Sequence, residues 1–254
     1  MSSLPDPLHR RPRTVAILQA RLSSSRLPGK VLLEVAGAPL LDRVVLRVLR
    51  SKTLDQTVVA TTRNAQDDPI VSACAHLGVL CIRGDEADVL DRYREAAIAT
   101  GGEVLVRITA DCPLIDPEVI DQVVEAFHSH TADYVSNTQT RTWPRGLDVE
   151  VFSRAALDRA WQEAKAPWQR VHVTPYFYQH PERFRLHAIV NSTDHSHLRW
   201  TVDTTEDMEL IRTIYHHFSS RDDFGWREVL TLMEQVPALA QLNQHVRQKS
   251  LEEG

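Results

Sequence analysis

No stretch of this chain approaches the roughly 20 consecutive apolar residues that a membrane span requires, so no membrane span is expected. Cysteine is scarce. Cys74, Cys81 and Cys112 are odd in number, scattered, and lack Cys-x-x-Cys spacing. That excludes a disulfide framework and a cysteine zinc site, and it points to reduced thiols in a cytoplasmic protein. Positive charge is in deficit, with 29 basic against 34 acidic residues and a net charge of -5. A protein that coats nucleic acid needs a basic field, so no nucleic-acid partner is expected, whereas a small polyanion held in one basic pocket remains compatible. Glycine is also sparse, at nine of 254 residues, and the Gly-x-Gly-x-x-Gly spacing of a dinucleotide fingerprint is missing. The opening MSSLPDPLHRRPR lacks the apolar stretch of a signal peptide, and residues 1–13 are expected as a flexible tail.

What the chain does have is alternation. Thr14–Leu18, Thr57–Thr61, Val79–Ile82, Glu103–Thr109 and Ala132–Ser136 are short apolar runs that predict strands. Between them lie amphipathic stretches that predict helices over 40–50, 67–78, 89–99 and 116–128. Gly78 and Gly101-Gly102 supply stop signals, and Asp116-Pro117 supplies a capped start. Strand–helix alternation specifies an α/β class with a mostly parallel sheet flanked by helices. Beyond about 137 the pattern loosens. Asp148–Phe152, Phe184–Val190 and Leu198–Val202 predict further strands, with helices after Ser153, over 205–218 and near 226–235. Residues 166–183 hold three prolines and four aromatics, which predicts a covering subdomain rather than sheet. The domain is expected over 14–237, with 138–197 as an acceptor-side and dimerisation subdomain and 238–254 as a C-terminal tail whose end, 248–254, is frayed. Arg43, Arg47 and Arg50 are expected on a solvated helix face, and Trp143, Trp161 and Trp168 in subdomain packing or a dimer contact.

In such sheets ligands bind beyond the carboxyl ends of the strands. Directly after the first apolar run stands Gln19-Ala-Arg-Leu-Ser-Ser-Ser-Arg-Leu-Pro-Gly-Lys30. A turn needs serine, proline and glycine in any case, and that accounts for Pro28-Gly29. It does not account for Arg21, Arg26 and Lys30 in one loop, with hydroxyls and free backbone N–H groups between them, which suits phosphate oxygens. A Walker A loop is excluded, because Ser24 stands at the first glycine and Val31 follows the lysine. A second cluster is Arg107-Ile-Thr-Ala-Asp111-Cys-Pro-Leu-Ile-Asp116. Asp116 precedes a proline and reads as a helix cap, while Asp111 has no capping offset. A carboxylate facing a polyphosphate repels it unless a metal lies between, and Mg2+ held by one or two carboxylates plus substrate phosphates meets that need. The third cluster, Leu198-Arg-Trp-Thr-Val-Asp203-Thr-Thr-Glu-Asp-Met208, offers Asp203 as a second metal carboxylate, with Glu206 and Asp207 as helix-start acids. Twelve histidines, including His195-Ser-His197, lack a third ligand at metal spacing.

These clusters, with Arg83-Gly-Asp-x-x-Asp-Val-Leu-Asp-Arg-Tyr93 and Pro144-Arg-Gly-Leu-Asp-Val-Glu-Val-Phe152, resemble in kind and order the cytidylyltransferases of the spore-coat polysaccharide type, relatives of the CMP-KDO and CMP-sialic acid synthetases. The resemblance covers about residues 14–235. It implies a GT-A-like, Rossmann-related nucleotidyltransferase fold, Mg2+ dependence, CTP as donor, an acidic small-molecule acceptor and a homodimer. It places Arg21, Ser23, Arg26 and Lys30 on the triphosphate, the backbone of Leu18, Gln19 and Ala20 near the base, and Arg83, Asp88 and Arg107 on the nucleotide side. It implies Asp111 and Asp203 as metal ligands, with Lys30 and Arg21 beside them in catalysis, and Arg145, Asp148, His172 and Tyr176 toward the acceptor. In Arg170-Val171-His172 a valine stands where relatives often carry glutamate, so a charge is lost over the acceptor region. Two other readings stay open. A GT-A glycosyltransferase would need an Asp-x-Asp metal motif, for which Asp85-x-x-Asp88 is the nearest candidate at the wrong spacing, and a non-catalytic nucleotide-binding scaffold would bind without turnover.

Overall fold

The computed structural model describes residues 11–250. The first strand, β1 (Thr14–Gln19), has Val15, Ala16, Ile17 and Leu18 wholly buried. A strand covered on both faces has no solvent side, which is why this run is apolar throughout rather than alternating. A small hairpin, β2 (Glu34–Val35) and β3 (Ala38–Pro39), leads into α1 (Leu40–Val48). The parallel half continues as β4 (Gln56–Thr62), α2 (Asp68–Leu77), β5 (Leu80–Gly84), α3 (Val89–Thr100), β6 (Val104–Thr109), α4 (Pro117–Ser129) and β7 (Tyr134–Ser136). The expected punctuation is in place. Gly78 and Gly101 end their helices at φ 69° and 65°, and Asp116 caps α4 by accepting from the Glu118 N–H at 2.9 Å. The remainder is β8 (Glu150–Ser153), α5 (Arg154–Glu163), α6 (Pro167–His172), α7 (Pro175–Gln179), β9 (Leu186–Ala188), α8 (Thr205–His217), α9 (Trp226–Gln235) and α10 (Ala238–Gln241).

Seven strands form one sheet in the order β5-β4-β1-β6-β8-β7-β9. All run in one direction except β8, which pairs antiparallel with both β6 and β7. Inward residues from α1, α4, α8 and α9 pack on one face, around Val44, Ile120, Ile211 and Val229. Helices α3, α5 and α7 cover the other, around Tyr93, Leu157 and Phe177. The fold is thus the expected α/β class. Because β1, β4 and β6 are parallel neighbours, the loops after them emerge at one edge of the sheet.

Three expectations need correction. Leu198–Val202 is not a strand, since only an isolated bridge joins Arg145 to Arg199. Two backbone bonds, Arg145 N–H to the Leu198 carbonyl and Trp200 N–H to the Arg145 carbonyl, make up that bridge, and no named strand extends it. Residues 238–250 are not a loose tail. Leu239 belongs to the core, Asn243 is buried, and Gln248, Lys249 and Ser250 reach the cleft described below. Residues 1–10 and 251–254 of the expected tails lie outside the described residues. Trp143 packs in the core, and the Trp161 indole N–H donates to Asp91 at 2.8 Å.

Third, Arg43 and Arg47 of α1 are not a solvated face, although Arg50, just past the helix, is exposed as expected. Arg47 is wholly buried and donates to the carbonyls of Ile115, Asp222 and Phe224 at 2.7, 3.0 and 2.9 Å, and its guanidinium lies 4.7 Å from the Phe224 ring centre. Arg43 donates to the Val35, Ala36 and Ser220 carbonyls and to Asp222. The helix therefore clamps the segment between α8 and α9 by its carbonyls. Arg47→Met is expected to cost about 3 kcal/mol, because the buried Ile115 and Phe224 carbonyls lose this donor, while the Asp222 carbonyl keeps Arg50. Urea denaturation checks it, and a cost below about 1 kcal/mol would show that the segment is held elsewhere.

Candidate active site

The loop after β1 turns at Gly29, whose φ of 69° suits glycine, and the turn delivers Lys30 into the first position of a short 3-10 helix, Lys30–Leu32. Its folding is local. Ser24 and Gly29 both donate to the Leu22 carbonyl, at 2.8 and 2.9 Å, and Leu22 donates to the buried Asp67. Among the described residues the backbone N–H groups of Ser23, Ser25 and Arg26 make no hydrogen bond. The loop thus offers the unfilled donors that a phosphate binds.

Lys30 is the meeting point. Its ammonium is buried and donates to Asp111 Oδ2, to Asp203 Oδ1 and to the Val202 carbonyl at 2.8, 2.8 and 2.7 Å. Asp111 comes from the turn after β6, and Asp203 from the segment before α8. Two backbone bonds lock these segments together, Val202 N–H to the Asp111 carbonyl at 2.8 Å and Ala110 N–H to the Gln19 carbonyl at 3.1 Å. Asp203 also takes Arg26 and Arg199, each at 2.8 Å. Burial alone would lower the Lys30 pKa, but Asp111 and Asp203 raise it above its ordinary value. Burial would raise Asp111, but the Lys30 charge and its hydrogen bond hold the carboxyl below the ordinary range. Lys30 and Asp111 are both charged at neutral pH. A compact cation already sits between two hard carboxylates, so the donor set fits Mg2+ that takes its other ligands from substrate phosphates and water. Among the described residues no group of three or more His, Cys, Asp or Glu could hold a metal without such help.

These groups line an open cleft of about 870 Å³. Gln19, Ala20, Arg21, Arg26, Arg107 and Lys30 face it at the phosphate-loop end, and Arg145, Asp148 and His172 at the other. Arg107 is bound by Glu150 and donates to Gln19 Oε1 at 3.2 Å. Asp148 is gripped bidentately by Arg141 at 2.6 and 2.7 Å. Burial would raise its pKa, but those bonds and the charges of Arg141 and Arg145 hold it below the ordinary range. Arg145 is half-buried and makes no side-chain hydrogen bond or close ion pair among the described residues. A guanidinium left without a carboxylate in a cleft wall is a site for an anion.

Not every expected residue comes to the cleft. The Leu18 side chain is wholly in the core, as its place in β1 dictates. Ser23 donates to Glu86, and the cleft wall takes Ser24 and Ser25 instead. Arg83 is occupied by the Thr62 and Asn64 carbonyls and by Asp68. Asp88 caps α3 through the Asp91 N–H and pairs with Arg170 at 2.6 Å. Asp85 likewise accepts from the Ala87 and Asp88 N–H groups, so this pair is turn chemistry and not a glycosyltransferase metal motif. Tyr176 faces α5, where its hydroxyl donates to Glu163 at 2.8 Å, and Tyr178, two residues on, lines the cleft in its place. Val171, at the departure from the family pattern, does line it. Sequence reasoning missed Arg141, Arg199, Gln248 and Lys249. Arg199 lay inside a quoted motif and Arg141 seven residues before Asp148, but the C-terminal pair carried no signal.

With this geometry in hand, the comparisons with known proteins agree. A family model described as cytidylyltransferase matches residues 15–251. The chain is 34% identical to the spore coat polysaccharide biosynthesis protein SpsF of Bacillus subtilis, over 88% of this chain and 95% of the relative. It is 31% identical to the 3-deoxy-manno-octulosonate cytidylyltransferase of Pseudomonas fluorescens, over 79% of this chain and 85% of that one. A solved cytidylyltransferase from Leptospira borgpetersenii superposes with a TM-score of 0.88 at 29% identity, covering 94% of this chain and all of its own. The chain belongs to the cytidylyltransferase family of nucleotidyltransferases.

Proposed function

We propose that this enzyme transfers CMP from CTP to an acidic sugar or related acid, with Mg2+ present and pyrophosphate released, in the making of a surface polysaccharide or glycan precursor. One observation carries the reading. Two carboxylates from separate segments converge on the Lys30 ammonium at the end of the phosphate loop. The relatives' named reactions narrow the acceptor to a sugar acid, and the unpaired Arg145 supports an anionic group at that end of the cleft.

In this reading an acceptor oxygen attacks the α-phosphorus. The bond to the β-phosphate oxygen breaks, pyrophosphate leaves, and the acceptor hydroxyl gives up its proton. Lys30, Arg21 and Arg26 bind the triphosphate and neutralise the charge that accumulates on the leaving group. Arg107, steadied by Glu150, and the Gln19–Ala20 backbone bound the nucleoside side. Arg145 holds the acceptor's acidic group, and ionised Asp148 accepts from its hydroxyls. Asp111 and Asp203 would hold Mg2+, which when bound neutralises phosphate charge and favours the deprotonated acceptor oxygen. No side-chain nucleophile enters this scheme. We also read the chain as a cytoplasmic homodimer. Three free cysteines fit a reducing compartment, and the family resemblance supports the dimer.

The test is a screen of CTP, GTP, UTP and ATP against a panel of sugar acids, aminosugars and other acids, read by pyrophosphate release. Release is expected with CTP and a sugar acid, and only with Mg2+ present. Tight CTP binding with no turnover on any acceptor would overturn the transfer reading and favour a scaffold.

A further inference from the structure

The end of the described chain runs along the phosphate loop, although nothing in its sequence suggests a site. Asn243 is buried at 2% exposure, and its amide donates to the Arg199 carbonyl at 3.0 Å and to Asp207 Oδ1 at 2.8 Å. Five residues on, Gln248 Oε1 accepts from Arg199 Nη1 at 2.7 Å. The same guanidinium holds Asp203 and Asp207. Residues 243–248 are therefore moored at two points to the group that positions Asp203. The mooring leaves Lys249 on the cleft wall, where its ammonium donates to Ser25 Oγ of the phosphate loop at 3.3 Å.

The charges around it give this position meaning. The loop's own cations are already occupied: Arg26 by Asp203, Arg21 by Glu86 at 3.7 Å, and Lys30 by both aspartates. Lys249 has no carboxylate within 4.0 Å among the described residues, and the Ser25 hydroxyl is its sole hydrogen-bond partner there. A cation beside a loop of unfilled N–H donors, with no counter-charge among the described residues, is placed to meet an anion. We propose that Lys249 is a further binding residue for the β- and γ-phosphates of the nucleotide, carried on a strap formed by residues 243–250. This deepens, and rests on, the reading of the cleft as a CTP site. The strap also couples the two halves of that site, because Arg199 joins it directly to Asp203.

Calorimetry on the full chain with Mg2+, using CTP and CMP as probes, tests the assignment. Lys249→Ala is expected to weaken CTP binding about tenfold and to raise KM for CTP in step, since a charge-assisted phosphate contact is lost. CMP has no β- or γ-phosphate, so its affinity is expected to stay within about twofold of wild type, and Lys249→Arg to recover most of the loss for CTP. Unchanged CTP binding in Lys249→Ala would overturn the assignment while leaving the CTP site intact. Equal losses for CTP and CMP would overturn it too, because that pattern marks a packing role. A wild-type chain that binds neither nucleotide would overturn the CTP reading itself, and this inference with it.

Discussion

Asp111→Asn is expected to lower kcat about a thousandfold, because it removes one of two carboxylates that charge neutralisation at the phosphates depends on. The substitution keeps the shape of the side chain and an oxygen that can still accept from Lys30. The fold has little reason to respond. The Asp111 carbonyl, not its carboxylate, receives the Val202 N–H at 2.8 Å and the Thr201 hydroxyl at 3.2 Å. Lys30 also keeps Asp203 and the Val202 carbonyl. The thermal midpoint is therefore expected to stay within about 2 °C of wild type, which separates lost chemistry from lost structure. The charge removed is one the protein maintains, since Lys30 holds the Asp111 carboxyl below its ordinary range. Turnover measured across a Mg2+ titration, beside a thermal melt, checks both halves. Full Mg2+-dependent activity in the variant would sink the metal assignment.

Much of the architecture was legible because the signals were local. The buried run of β1, the capped start at Asp116-Pro117 and the stops at Gly78 and Gly101 each depend on residues within a few positions of one another. Asp111 stood out because it has no capping offset, and Asp203 because it closes an apolar run. What could not be read was set by distant partners. Nothing in the β8 residues themselves marks the strand as antiparallel, and its direction depends on insertion between β6 and β7. Arg43 and Arg47 have the spacing of a solvated stripe, and it is distant carbonyls, of 220–224 and of Ile115 among them, that make them interior. Asp88 and Tyr176 matched motif positions, yet their partners Arg170 on α6 and Glu163 on α5 turn them from the cleft. Residues 243–250 have no hydrophobic period, because Asn243 and Gln248 are anchored by hydrogen bonds rather than by a buried face.

Gly146→Ala is expected to destabilise the protein by about 4 kcal/mol, one of the largest effects available to a single methyl group. Gly146 stands at φ 111°, and an added Cβ would lie 2.6 Å from the Trp200 carbonyl carbon and 2.8 Å from the Thr201 nitrogen. These are backbone atoms and cannot rotate away. The approach is close because the two segments are bonded on either side of it, Arg145 N–H to the Leu198 carbonyl at 3.0 Å and Trp200 N–H to the Arg145 carbonyl at 2.6 Å. Relief of the clash must part them. That moves Arg145 and Asp148 on one side and strains the Val202–Asp111 bond on the other, so both ends of the cleft are affected through one residue. KM for the acceptor is expected to rise about tenfold, and more than KM for CTP, because Arg145 and Asp148 flank the site of the clash. Gly101→Ala is the control. Gly101 also has positive φ, at 65°, but nothing lies within 4 Å of its added Cβ. It should cost only about 1 kcal/mol, the price of the conformation alone. Urea denaturation of both variants isolates the contribution of close approach. If Gly146→Ala costs no more than Gly101→Ala, the segment before α8 is not wedged against the 144–148 loop, and Asp203 owes its position to its bonds with Arg26, Lys30, Arg199 and Asp207.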